Sequence, residues 1–138
     1  LYLFRGVSRP LAEPHESVRL SREGLVFDEE TFAVRRAYAA YGFRAPNFNR
    51  EPDDHIGLEI AFLTNLASLY AEQSEAGEAE RIRESMTEFL DEHLGAYYRA
   101  VVDDVRKHAK TALYKAVAEF TLGFVRSVED FVSAPASK

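Results

Sequence analysis

The chain has 138 residues, 46% of them apolar and 12% aromatic, which suits one domain with a buried core. Its net charge of −6 argues against a nucleic-acid phosphate backbone as partner and favours a basic peptide. The absence of cysteine excludes disulfides, thiolate metal sites and thiol nucleophiles. No apolar run reaches the roughly 18 residues of a membrane span, and no secretory signal is visible, so stable membrane insertion is not expected. The first residue is Leu1, and "LYLF" reads as the tail of an apolar helix that begins upstream.

Residues 5 to 27, with Pro10 and Pro14, read as an ordered connector without a long element; "SVRLS" is its one strand candidate. "DEETFAVRRAYAAYG" predicts a helix capped by Asp28 and closed by Gly42. After the connector "FRAPNFNREP", a helix runs from Asp53 or Asp54 to about Ser74. Ile56, Ile60, Leu63, Ala67 and Tyr70 form one apolar stripe on it, and Leu58, Phe62, Leu66 and Leu69 a second. Two stripes place this helix at the centre of the fold. Residues 72 to 92 hold eight acidic side chains against two arginines, and predict an exposed helix with Ile82, Met86, Phe89 and Leu90 inward. Two more helices follow. "GAYYRAVVDDVRKHA" carries a stripe of Tyr97, Val101, Val105 and His108, and "TALYKAVAEFTLGFVRSVEDFVSA" one of Leu113, Val117, Phe120, Phe124, Val128 and Phe131. The tail "APASK" is expected to fray. The expected class is all-α, as a single domain over 1–138.

The chemistry concentrates at Asp53, Asp54, His55 and Glu59, where a charged turn meets an apolar helix. On pattern alone, aspartates there cap the helix, for about 1 kcal/mol. His55 and Glu59 lie four apart on one face, which is half of a metal site, but HEXXH is absent and His15, His93 and His108 show no matching spacing. Neither a nucleophile elbow nor a glycine-rich phosphate loop is present. No cofactor is implied.

Five motifs in a fixed order resemble the TorD/DmsD/NarJ-like redox-enzyme maturation chaperones, most closely the TorD and DmsD branch. They are Leu3, Phe4 and Gly6 of "LF.G"; "P.ESV.LS.EGL" from Pro14; "EPDDHIGLEIAFL" from Glu51; "EFLDEHL" from Glu88; and "LYKAVAEFTLGFV" from Leu113. The resemblance covers nearly the whole chain and implies the later, C-terminal part of the helical TorD-like fold, with the family's N-terminal helices missing. It implies a cytoplasmic chaperone, not an enzyme. Such a chaperone binds the twin-arginine signal peptide, or the apoprotein, of a molybdopterin oxidoreductase and holds it from export until cofactor insertion. Weak guanine-nucleotide binding occurs in parts of the family, without a motif for it here. By position the resemblance assigns peptide binding to Asp54 and His55, with apolar contacts from Leu3, Phe4 and Pro14. Where the family often has an aromatic residue after that proline, this chain has His15, and Asp28 replaces a glycine of some members.

A twin-arginine leader offers guanidinium groups followed by an apolar segment. Carboxylates beside an apolar groove would read it through bidentate pairing. The sequence thus predicts Asp54, His55 and Glu59 at the arginine end, with Leu3, Phe4 and Phe62 along the apolar part. A helical core that lacks its first helices exposes apolar surface, which predicts a homodimer or a segment-swapped dimer. The rival readings are a helical metal-dependent hydrolase using His55, Glu59 and Asp54, and an assembly factor that docks only on a folded partner.

Overall fold

The computed structural model describes residues 10 to 135. Six α-helices succeed one another, with no strand among the described residues: α1 Glu16–Leu20, α2 Glu29–Ala40, α3 Ile56–Glu72, α4 Ala76–Phe89, α5 Gly95–His108 and α6 Ala112–Ser133. A π turn, Leu90–Leu94, joins α4 to α5. The all-α expectation holds. "SVRLS", the strand candidate, lies in α1 instead, because Glu16 and Ser17 are drawn into the core by side-chain and backbone bonds that a local pattern does not encode.

Local chemistry explains most boundaries. Asp28 accepts the Glu29 N–H at the start of α2, and Gly42 takes φ +67° just past its end, where a side chain would be strained. At α3 the cap differs from the expectation: His55, not Asp53 or Asp54, caps the helix, its Nδ1 accepting the Gly57 N–H at 2.9 Å. Both aspartates are buried upstream of it and bound elsewhere.

The core gathers on α3. Phe62, Leu63 and Leu66 meet Met86 and Phe89 of α4, Tyr97, Tyr98 and Val101 of α5, and Val34 and Tyr38 of α2. Phe62 is the hub of an aromatic cluster, with ring centroids 4.8 Å from Tyr38 and 4.9 Å from Phe89. The long stripe expected on α6 divides. Val128 turns inward with Ala118 and Val125, while Leu113, Val117 and Phe120 are 70%, 52% and 74% exposed. Helical spacing marks a shared face; it does not say whether another element covers that face.

The helices before and after Gly95, read separately in the sequence, run on through it. Gly95 stays helical and donates its N–H to the Leu90 carbonyl across the π turn. A Cβ there would lie 2.3 Å from that oxygen and 3.1 Å from its carbon, contacts with backbone that no rotamer relieves. Gly95→Ala should therefore destabilise the fold by about 1–3 kcal/mol, as overpacking does, read as a lower urea midpoint. An unchanged midpoint would mean that the turn relaxes to α geometry without cost.

Candidate functional site

Residues 51–56 enter α3 beside the residues leading into α1. The two segments pair as one antiparallel bridge: the Glu16 N–H donates to the Asp54 carbonyl at 3.0 Å and the Ile56 N–H to the Pro14 carbonyl at 2.9 Å. This bridge sets His15 and His55 edge to face, with ring centroids 5.2 Å apart. His15 Nδ1 lies 2.6 Å from Glu13 Oε1. Because His55 Nδ1 accepts a backbone N–H, its neutral ring carries the proton on Nε2. Burial, and then the neighbouring His15, lower the His55 pKa from its ordinary value, which favours that neutral form.

His55 borders two cavities. One, of about 360 Å³, is an apolar groove between α3, α5 and α6, lined by Ile56, Ile60, Val101, Val105, Leu113 and Val117. The other, of about 450 Å³, is more polar than the groove though still largely apolar; His15, Asn47 and Glu51 line it beside Pro14, Pro46 and Leu58. A single imidazole thus stands where an apolar trough meets a pocket carrying the exposed Glu51 carboxylate.

Beneath this surface lies a buried polar cluster. Asp54 is fully buried and accepts from the Ser17 N–H at 2.6 Å and from Thr31 Oγ1 at 2.9 Å. Asp53 pairs with Arg35 at 2.8 Å, and its carbonyl accepts from the Tyr38 hydroxyl. The Arg35 guanidinium also lies over the Phe48 ring, 4.2 Å from its centroid. Glu59 is fully buried, and burial first, then the adjacent Glu16, raise its pKa well above the ordinary carboxylate value. Tyr97, beside Glu59, has its hydroxyl pKa pushed up by burial and by that carboxyl.

The structure separates the expected site residues. His55 and Pro14 come together at the polar pocket. Asp54 and Glu59 sit beneath it, enclosed by protein, so neither presents an oxygen to solvent. Phe62 points away from the groove into the aromatic cluster, since the second stripe of α3 faces α2 and α4. Leu3 and Phe4 lie outside the described residues. His55 and Glu59 do not form half of a metal site: one caps the helix at the surface and the other is sealed below it. Among the described residues, no group of three or more His, Cys, Asp or Glu side chains is placed to hold a metal ion. Nor is any described helix long and apolar enough to cross a membrane. The sequence reading missed Glu51 as a surface carboxylate, and Val101, Val105, Leu113 and Val117 as groove walls. The exposure of Leu113 and Val117 is visible only once α6 is placed.

The protein family described as nitrate reductase delta subunit matches residues 2–103. The chain belongs to this family. Its membership agrees with the TorD-like resemblance carried by the sequence motifs. Three relatives are each named chaperone protein TorD. That of Vibrio cholerae is 24% identical over 124 residues, covering 90% of this chain and 56% of the relative. That of Vibrio parahaemolyticus is 21% identical over 124 residues, covering 90% and 58%. That of Aliivibrio fischeri is 25% identical over 123 residues, covering 89% and 57%. The chain spans a little over half the length of the curated relatives it matches. Within the TorD-like frame, "EPDDHIGLEIAFL" contributes Glu51, Pro52, His55 and Leu58 to the polar pocket, the cap of α3 and one wall of the groove.

Proposed function

We propose that this chain acts as a redox-enzyme maturation chaperone that binds the leader peptide of a molybdopterin oxidoreductase precursor. The observation that carries this reading is the junction at His55 of an apolar groove with a pocket bearing Glu51. A leader with paired arginines ahead of an apolar segment matches both parts. Its apolar residues lie against Ile60, Val105, Leu113 and Val117, and one guanidinium pairs with Glu51 while backbone carbonyls accept from His55 Nε2–H. Asp54 and Glu59, proposed from sequence as arginine readers, act from beneath: Asp54 fixes the turn that presents His55. Leu3, Phe4 and Pro14 extend the apolar contact, and Phe62 supports α3 from the core side. The family kinship and the TorD relatives support the chaperone role over catalysis. The reading places the protein in the cytoplasm, where it retains its client before export, and keeps a homodimer or segment-swapped dimer as a further expectation.

Calorimetric titration with a twin-arginine leader and its twin-lysine variant tests it. Micromolar or tighter binding is expected, about tenfold weaker for lysine, because an ammonium cannot reproduce the bidentate fork. Glu51→Gln should remove most of the difference between the two peptides. Equal binding of both peptides to the unaltered chain would reject the carboxylate–guanidinium contact. Absence of binding to either would reject leader recognition by this chain.

A further inference from the structure

Three carboxyl oxygens in the core have no hydrogen-bond donor: Glu16 Oε2 and both oxygens of Glu59. Glu59 is fully buried and Glu16 nearly so. Most neighbouring donors are committed elsewhere: His93 Nδ1 takes Glu16 Oε1 at 2.9 Å, the Ser17 N–H and the Thr31 hydroxyl are spent on Asp54, and the Tyr97 hydroxyl, which faces Glu59, reaches the Asp54 carbonyl at 3.5 Å. Two bare carboxylates side by side in this interior would combine desolvation with repulsion. One proton placed between them removes the repulsion and leaves a single buried charge instead of two, since a protonated carboxyl donates and its neighbour accepts. His93, bonded to Glu16, makes Glu16 the acceptor and leaves Glu59 as the proton carrier.

We propose that Glu16 and Glu59 share a single proton, and that this proton is a latch holding α1 against α3 beneath the groove. The groups facing Glu59 come from every neighbouring element: Glu16 from α1, Asp54 from the turn before α3, Tyr97 from α5 and Tyr38 from α2, with His93 of the π turn behind Glu16. At five residues, α1 is too short to be stable alone. It is held by Glu16, by its Ser17 N–H on Asp54, and by Arg19, which bonds Asp104 and the Glu13 carbonyl. Pro14 and His15, which lead into α1, are a wall of the polar pocket. Loss of the proton sets two carboxylates against each other across α1 and α3. Release of α1 then dismantles that wall and weakens peptide binding, a consequence that rests on the leader-binding reading.

The direction with pH follows from linkage. With its folded pKa raised, Glu59 contributes stability that is fully present below its ordinary value of 4.5 and is lost as pH climbs toward the folded value. Within that window, opening of α1 releases one proton, so its opening constant rises about tenfold per pH unit.

Two peptide-free measurements on the full chain decide it. Carbon NMR with carboxyl-labelled glutamate should show one protonated glutamate at neutral pH, absent in Glu59→Gln. Hydrogen exchange at the α1 amides, corrected for the intrinsic rate, should show the tenfold slope in the unaltered chain and a flat profile in Glu59→Gln. A fully ionised glutamate spectrum at neutral pH would overturn the shared proton, and that spectrum decides even if the variant fails to fold. Equal exchange slopes in both proteins would overturn the latch. Because no peptide enters either measurement, its outcome is separate from that of the leader titration.

Discussion

Asp54→Ala is expected to destabilise the protein by about 2–4 kcal/mol, several times the cost of losing a helix cap. Two donors lose their acceptor at once: the Ser17 N–H of α1 and the Thr31 hydroxyl of α2. Asp54 is fully buried, so water does not replace the carboxylate, and each orphaned donor bears its own desolvation penalty. Removal of a buried charge beside the Glu16–Glu59 pair returns part of this, which is why the range stops short of a simple sum. Asp54→Asn should fall between the two proteins. Its oxygen still accepts from the Ser17 N–H and its NH₂ can donate to the Thr31 hydroxyl turned to accept, but both bonds lose the charge that strengthened them. Urea unfolding gives the ordering, and a cost for Asp54→Ala near 1 kcal/mol would return Asp54 to a simple capping role.

The distinction bears on how peptide-binding variants are read. If Asp54 ties α1, α2 and the α3 entrance together, its removal displaces His15 and His55 without any direct contact to peptide. Binding lost in Asp54→Ala is then a consequence of geometry, and Asp54→Asn should retain more of it. Glu51→Gln, on the exposed carboxylate, should alter peptide choice while leaving the urea midpoint within about 0.5 kcal/mol, as for an ordinary surface change.

Much of this arrangement is legible in the sequence itself. Asp28 and Gly42 bracket α2 by local chemistry, and the double stripe of α3 identifies the central helix. Local rules failed where long-range partners took over. An aspartate before a helix satisfies the capping rule whether or not it caps, and the partners of Asp54 lie 37 and 23 residues away. Glu59 illustrates the same limit. Its spacing from His55 suggested a shared face, yet one turn of helix separates a surface cap from the sealed interior. The one sequence cue was a lone carboxylate inside "IGLEIAFL", between isoleucines that both reach the groove. On α6, apolar spacing names a stripe but not what covers it: Val128 turns inward while Leu113 and Val117 line an open groove.

The other large effect is expected at Phe62, and it separates core from groove. Phe62→Ala should destabilise by about 3–5 kcal/mol, the cost of a large aromatic removed from a closed core. The ring packs against Tyr38, Tyr41, Phe43 and Phe89 at centroid distances from 4.8 to 6.2 Å, so four rings lose a common neighbour. Collapse around the void is opposed because these rings come from α2, α4 and the connector after α2, each held by its own backbone bonds. Val117→Asp, on the exposed rim, has the opposite profile. The aspartate remains hydrated, so the urea midpoint should stay within about 0.5 kcal/mol. A charge set into the apolar trough should nevertheless weaken leader binding by at least about tenfold, since the bound peptide would bury it unpaired. Phe62→Ala, studied well below its unfolding midpoint, should bind with much smaller loss, because its side chain faces the core. If instead Phe62→Ala abolished binding while Val117→Asp left it intact, the peptide would lie on the α2–α4 side of α3, and the groove at His55 would not be its seat.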